Sequence, residues 1–193
     1  MTRAARTKSK AGASGFSLLE IVVVLILIAV LAGGAIGMMV MSDDDRALKR
    51  CSVEVEALAK RARTIASLQQ RPYALEFYEN RVSLMPLAEA QVDPQQREMA
   101  ALMEENAGEE KPEGRFDSVR AGWELDSDMQ IFIRRWASDN WIPADSKNRE
   151  VWRFDPEGFC EPVGVRIVRG DSWLEAQFNP LTGSIRSTEK EVY

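Results

Sequence analysis

The sequence predicts an α+β protein in which one long N-terminal helix packs on antiparallel β-sheet. Three observations support this prediction. Residues 21–41 carry no charge, the residues after them repeat apolar side chains at helical spacing, and from residue 73 apolar and polar residues alternate between turn signals. A length of 193 residues suits one domain plus an N-terminal helix. We therefore divide the chain into residues 1–15, 16–41, 42–71 and 72–193.

Residues 1–15 contain four basic residues and no acidic one, and we interpret them as a leader. Without them the formal side-chain charge would move from −5 to −9, because four of the 25 basic residues and none of the 30 acidic ones would be lost. Binding to a phosphate backbone needs a basic surface. Nucleic acid is therefore not expected as a partner.

The uncharged run Ile21–Met41 has the length of a membrane span. Its 21 residues would cover roughly the 30 Å hydrocarbon core of a bilayer at about 1.5 Å per helical residue. A signal-peptide core has only about 7–15 apolar residues, so we expect this run to remain as a single-pass anchor. The basic leader should stay cytoplasmic, because the Lys/Arg bias sets orientation. Residues 43–45, three contiguous aspartates, are read as the solvated end of the span and not as a calcium loop.

Glu20, at the start of the apolar run, is the unexpected residue. A carboxylate inside a membrane helix costs roughly 2.5–3.5 kcal/mol at the centre and less near an end. One interpretation places Glu20 at the membrane edge. The other gives it a cation at the same depth, and cleavage after Gly15 would create one in the α-amino group of Phe16.

The residues Gly, Phe, Ser, Leu, Leu and Glu at positions 15–20 resemble the class III signal of type IV pilins and type II secretion pseudopilins. The family pattern is Gly, Phe, a small polar residue, Leu, any residue and Glu, and every position matches. The resemblance implies that prepilin peptidase cuts between Gly15 and Phe16 and methylates the new amino group of Phe16. It also implies a pilin-like fold, and a filament in which Glu20 pairs with the Phe16 ammonium of an adjacent subunit.

Three glycines, Gly33, Gly34 and Gly37, lie in the second half of the apolar run. They form a small-residue face of the kind that lets membrane helices pack closely. They also weaken the helix, since each costs about 1 kcal/mol relative to alanine. A second interpretation is therefore that the helix extends locally here when the subunit enters a filament.

The region from Arg46 to Gln70 is predicted to be an amphipathic helix. Its apolar residues alternate at spacings of three and four, which places them on one helical face. No proline occurs between Phe16 and Arg71, so this helix should continue the apolar one until Pro72 ends it. Only about three heptads are present, which favours packing on the chain's own sheet over a coiled coil. The predicted buried stripe is Leu48, Cys51, Val55, Leu58, Ala62 and Ile65.

The β-rich region begins with a predicted hairpin, in which Tyr73–Tyr78 and Arg81–Met85 flank a two-residue turn at Glu79-Asn80. A second hairpin is predicted around Gly170, where glycine supplies a positive φ. The remaining strands are predicted at Gly122–Leu125, Met129–Trp136, Val151–Phe154, Val163–Arg169, Ser172–Phe178 and Ser184–Thr188. We expect the last four of these to form one regular meander.

Residues 87–114 interrupt the strand pattern with seven glutamates, two prolines and a closing glycine. Asp93-Pro94 predicts the start of a short helix that ends near Glu105. The rest of this acidic insertion is predicted to be a solvated loop. A partner-contact surface is the alternative interpretation.

Several chemistries are excluded by composition. The chain contains no histidine, which removes His-based triads and the commonest metal ligand. Cys51 and Cys160 lack zinc-finger spacing, and no Gly-rich phosphate loop is present. The two cysteines are a candidate disulfide in an oxidising compartment, and two free thiols are the alternative. We therefore expect no enzymatic activity, no cofactor and no metal.

A second resemblance concerns the domain. Leu58–Ala66 with Tyr73–Phe77, and the closing segments Trp152–Gly158 and Phe178–Arg186, are similar to the H-type minor pseudopilins (GspH) and FimT-like pilus proteins. The resemblance implies a minor subunit of a periplasmic type II secretion pseudopilus, anchored in the bacterial inner membrane. Its implied partners are prepilin peptidase, the major and other minor pseudopilins, and the inner-membrane assembly platform. A type IV minor pilin and a signal-anchored periplasmic binding domain are the alternatives.

Overall fold

The computed structural model describes the backbone of residues 18–107 and 118–193, and the side chains of residues 18–30, 43–103 and 118–193. The chain forms two compact units, Met1–Val40 and Met41–Tyr193. Gly15 and Phe16, the predicted cleavage site, lie outside the described residues.

Helix α1 extends over Leu18–Gln69, and the prediction of one uninterrupted helix that ends before Pro72 is confirmed. Its backbone stays helical through Gly33, Gly34 and Gly37. The helix ends where Gln70 adopts a left-handed conformation with a φ of 51°. The Gln70 side-chain amide donates a 2.7 Å hydrogen bond to the carbonyl oxygen of Ser67, which satisfies one of the last carbonyls of the helix.

The second unit contains two antiparallel sheets, which confirms the α+β class. The first consists of β1 Tyr73–Tyr78, β2 Arg81–Pro86, β3 Ala121–Glu124 and β6 Glu150–Phe154, in the order β3-β2-β1-β6. The second consists of β4 Met129–Arg135, β5 Ile142–Pro143, β7 Val163–Arg169, β8 Ser172–Phe178 and β9 Ile185–Glu191, in the order β5-β4-β7-β8-β9.

One hydrophobic core joins α1 to the inner faces of both sheets. The predicted stripe is buried except at Ile65, which is half-buried, while Ala66 is fully buried. The helical period of 3.6 residues accounts for this drift of the stripe. The aromatic part of the core bridges the sheets, since the Trp152 ring lies 4.7 Å from Phe154 and 5.0 Å from Phe178. The buried α1 residues are Ala47, Leu48, Cys51, Val55, Leu58, Ala59, Ala62 and Ala66.

Both predicted hairpins are confirmed. Strands β1 and β2 pair around Glu79-Asn80, where Glu79 has a φ of 53°. Strands β7 and β8 pair around Gly170, whose φ of 58° supplies the left-handed conformation that this turn needs.

The predicted closing meander is wrong, because β6 does not pair with β7. It pairs with β1 in the first sheet, where Trp152 lies opposite Leu75. Alternation along a strand states which residues share a face, but it does not state which strand lies beside it. Two smaller corrections accompany this one: β5 lies inside the predicted loop 137–149, and β9 extends to Glu191, beyond the predicted end at Thr188.

The described part of the acidic insertion is mainly helical. The predicted helix is confirmed as α3, Pro94–Ala107, and its first turn is capped by Asp93, which accepts a 2.9 Å hydrogen bond from the Gln95 backbone amide. A further helical turn, α2 at Leu87–Ala90, replaces the loop that was predicted there. Ala90 joins Ala74 and Met85 in a second small buried cluster, so α2 packs on the first sheet. Residues 108–117 lie outside the described part of the chain.

Candidate functional site

The first unit contains the candidate site, an apolar helix with exposed side chains on every face. Every Leu, Ile and Val between residues 18 and 30 exposes at least 45% of its surface. A helix that is apolar all round requires an apolar environment, which is a membrane or the interior of an assembly. Among the residues that the structure describes, no helix is both long and apolar enough to cross a membrane.

Glu20 lies in the first turn of α1 and is exposed. The amide dipoles of a helix favour a negative charge at this end. The predicted partner of Glu20, the amino group of Phe16, falls outside the described residues. The pairing between subunits therefore stays a prediction.

Of the three aspartates after the apolar run, Asp43 is exposed as expected, whereas Asp44 and Asp45 are half-buried. The Asp44 carboxylate lies 3.3 Å from the guanidinium of Arg169 at the end of β7. Asp45 forms ion pairs with Lys49 and with Lys190 of β9. The hydrogen bonds from Lys190 and Lys49 lower the pKa of the Asp45 carboxyl. These two aspartates thus tie α1 to the second sheet, a role that their contiguity in sequence did not indicate.

Cys51 and Cys160, the candidate disulfide pair, are both buried and both free thiols in this structure. The Cys160 sulfur lies 3.3 Å from the carbonyl oxygen of Pro180. Burial raises the pKa of Cys160 to about 11, and it raises the pKa of Cys51 further. Both side chains therefore stay protonated at neutral pH and are poor nucleophiles.

A buried ionic cluster holds the described part of the acidic insertion on the first sheet. Glu76 on β1 is only 4% exposed, and its carboxylate forms an ion pair with Arg97 of α3. The Arg149 guanidinium lies 3.5 Å from the same carboxylate and donates a 2.7 Å hydrogen bond to the carbonyl oxygen of Val92. Sequence reasoning missed this cluster. Leu75 and Phe77 face the main core, so alternation places Glu76 on the opposite face of β1, where a charged side chain is expected to be solvated.

The entry and exit of the insertion are also fixed. The Tyr73 hydroxyl, on a side chain that is 1% exposed, accepts a 3.2 Å hydrogen bond from the Val119 backbone amide. Arg120 forms two hydrogen bonds, of 2.9 and 3.0 Å, with the Glu89 carboxylate. The two ends of residues 87–120 are therefore held close together at the first sheet.

Comparison with known proteins adds one finding. Residues 10–36 match a family model described as the prokaryotic N-terminal methylation motif. No curated protein matches the chain, and no solved structure matches it. The matched residues include Gly15, Phe16 and Glu20.

The motif indicates a class of protein. It is a prepilin signal of the type IV pilin kind, and it indicates processing by prepilin peptidase and assembly with other pilins. The motif thus indicates a type IV pilin-like protein, and it points to a structural subunit and not to an enzyme.

Proposed function

We propose that this protein is a membrane-anchored minor pseudopilin, a structural subunit of the periplasmic pseudopilus of a type II secretion system. The observation that carries the proposal is the methylation motif at residues 10–36. From residue 18 the motif is part of a helix, and apart from Glu20 the described side chains of this helix up to residue 30 are apolar and exposed on every face. A separate unit with its own core follows. This combination suits a subunit that is held by its helix and assembled through it.

In this proposal the four segments have distinct roles. Prepilin peptidase removes the basic leader 1–15 by cutting between Gly15 and Phe16, and methylates the amino group of Phe16. Residues 16–41 then anchor the subunit in the inner membrane with the N-terminus cytoplasmic, residues 42–71 form the amphipathic part of the helix, and residues 72–193 form the periplasmic domain. The assembly platform moves subunits from the membrane into the filament, beside the major and other minor pseudopilins.

The proposed role of Glu20 follows from the energetics of charge in an apolar environment. Inside a bundle of apolar helices, an isolated carboxylate and an isolated ammonium are each strongly penalised. If the Glu20 carboxylate pairs with the Phe16 ammonium of the adjacent subunit, each charge offsets the desolvation of the other. Only one axial stagger of the two helices brings these groups together, so the pair would also set the register of the filament.

Gly33, Gly34 and Gly37 are proposed to act in the same assembly step. A face of small residues lets neighbouring helices approach closely. The same glycines lower helix stability, by about 1 kcal/mol each relative to alanine, which would favour local extension inside a filament. Both roles concern contacts between subunits.

The H-type, minor assignment rests on sequence resemblance alone. The four segments that resemble H-type pseudopilins meet around the C-terminal half of α1. Arg63 donates a 2.9 Å hydrogen bond to the Gly158 carbonyl oxygen, and a methyl group at Gly183 would lie 3.4 Å from the Ala59 backbone. A FimT-like minor pilin of a type IV pilus would use the same segments. It is the alternative within this class.

The mature N-terminus, determined by mass spectrometry on protein from its native host, tests the proposal. N-methylated Phe16 is the expected result. A chain that still begins at Met1 would instead identify a signal-anchored periplasmic domain. A start near residue 35 would identify a secreted one, and either result would overturn the proposal.

A further inference from the structure

The outer face of the second sheet carries a groove that the assembly role does not use. Two cavities of about 350 and 300 Å³ share Arg134 and Gln177 in their linings, and together we call them the outer groove. Its base follows one row of residues that are paired in register across four strands. This row is Arg134 on β4, Gly164 on β7, Gln177 on β8 and Ser187 on β9.

Gly164 lets the Gln177 side-chain amide and the Trp141 ring lie close above the centre of the row. A Cβ atom at this position would lie 2.9 Å from the Gln177 side-chain amide nitrogen and 3.2 Å from the Trp141 ring. Both distances are shorter than an ordinary van der Waals contact. The missing side chain therefore makes room for Gln177 and Trp141, which pack over this position.

Arg134, which lines both cavities of the outer groove, is held in place by stacked side chains. The guanidinium carbons of Arg134 and Arg166 lie 4.5 and 4.6 Å from the centre of the Trp141 ring, within the range of cation–π interactions. Arg166 is fixed in turn by hydrogen bonds to Glu175, which is 9% exposed. An arginine that is ordered before binding loses less conformational entropy when a ligand arrives.

The remaining lining combines an exposed ring with polar groups of both signs. Trp136, at one end, exposes 75% of its surface. Asp139 borders the same cavity, and Glu189 borders the other. These carboxylates oppose an anionic ligand. A purely apolar ligand would leave the polar groups of the row without hydrogen-bond partners, which is costly.

We propose that the outer groove binds a neutral oligosaccharide. A sugar ring has an apolar C–H face that can stack on Trp136, and hydroxyl groups that both donate and accept hydrogen bonds. The guanidinium of Arg134, the amide of Gln177 and the carboxylate of Asp139 provide the matching donors and acceptors. Since the groove lies wholly within the second unit, this inference does not depend on the proposed assembly function.

Isothermal titration calorimetry of the full-length chain with cellohexaose, with chitohexaose and, as an anionic comparison, with hexaglutamate tests the proposal. The protein should be kept in a detergent without a sugar headgroup, because such a headgroup could occupy the groove. We expect saturable binding of at least one of the two sugars with a Kd of about 1 mM or lower. Calorimetry is preferred to fluorescence because one test variant removes a tryptophan.

Two variants assign the binding to the outer groove. Trp136→Ala removes the exposed ring, and Gly164→Ala displaces the Gln177 side-chain amide and the Trp141 ring, which lie 2.9 and 3.2 Å from the position of the new Cβ. Each should weaken binding by about tenfold or more. Phe159→Ala is the matched control, since Phe159 is 53% exposed and lies outside the groove, and it should change affinity by less than about twofold. Any of three results would overturn the proposal. Neither sugar shows saturable binding, Trp136→Ala and Phe159→Ala lose affinity equally, or hexaglutamate binds while the sugars do not.

Discussion

The Arg169 guanidinium lies 3.3 Å from the Asp44 carboxylate and donates a 2.7 Å hydrogen bond to Asp128. One cation at the end of β7 thus joins helix α1 to the residue that precedes β4. The hydrogen bond with Asp128 raises the pKa of Arg169 above its usual range. The contact links three parts of the second unit that are far apart in sequence.

Replacing Arg169 with alanine should destabilise the second unit. The change leaves Asp44 and Asp128 without their shared cation, and a partly exposed ion pair of this kind contributes about 1 kcal/mol or less. Thermal unfolding of the full chain should show a lower Tm, and the difference from the unchanged protein should shrink in high salt because salt screens the interaction. Arg186→Ala, at an exposed arginine of β9, is the control. An equal loss in the control would show that the contact with Asp44 has no special role.

Replacing Glu76 with glutamine should have a larger effect, because Glu76 is buried beside two arginines. The side chain keeps its shape but loses its charge, which leaves Arg97 and Arg149 without their carboxylate. Loss of one partner from a buried ion pair costs about 3 kcal/mol. Urea unfolding of the full chain measures the change in the free energy of unfolding.

The same Glu76 variant should become more susceptible to proteolysis within residues 87–120, since α3 loses its attachment to the first sheet. Glu157→Gln, at an exposed position, is the matched control and should leave both measurements unchanged. Unaltered stability and protection in Glu76→Gln would contradict a structural role for the cluster.

Replacing Glu20 with glutamine should separate processing from assembly. The proposed cleavage site lies upstream, between Gly15 and Phe16, so the variant should still be cut and N-methylated. It should enter filaments poorly, because the amide cannot offset the charge of the neighbouring Phe16 ammonium. The measurement is the ratio of filament-incorporated to membrane-held protein. Normal incorporation of the Glu20→Gln protein would refute the proposed pairing.

The two cysteines should resist alkylation in the folded protein. Burial raises the pKa of Cys160 to about 11 and raises that of Cys51 as well, so little thiolate is present at pH 8. Iodoacetamide should label both thiols slowly in the folded protein. It should label them quickly once the protein is denatured, with no reductant added. Mass spectrometry of the labelled protein makes the measurement, and a pair that reacts only after reduction would reveal a disulfide.

The raised thiol pKa of Cys160 also predicts a dependence of stability on pH. The folded state retains the proton to a higher pH than the unfolded state does. Above the ordinary pKa of a cysteine the unfolded state therefore binds fewer protons, and stability should fall as the pH rises towards about 11. Cys160→Ser should reduce this fall. If Cys160→Ser loses the same stability at alkaline pH, then other titrating groups cause the loss.

Local sequence patterns predicted most of the secondary structure. The end of α1 before Pro72, the hairpin at Glu79-Asn80, the helix that starts at Pro94 and the turn at Gly170 all follow from interactions within a few residues. Proline geometry, capping and positive φ act at that range. The methylation motif at residues 10–36 is likewise a local pattern of residue types and one charge at a fixed offset.

The sequence by itself therefore determined the class of the protein and the kinds of element that it contains. Tertiary structure alone decided that β6 joins β1 and not β7, that Asp44 and Asp45 bind β7 and β9, and that Glu76 holds α3. It also decided that Arg134, Gly164, Gln177 and Ser187 share one row. The physical reason is that strand partners and ion pairs between distant residues depend on how the whole core packs, and periodicity along the chain carries no information about which distant segment will be the neighbour.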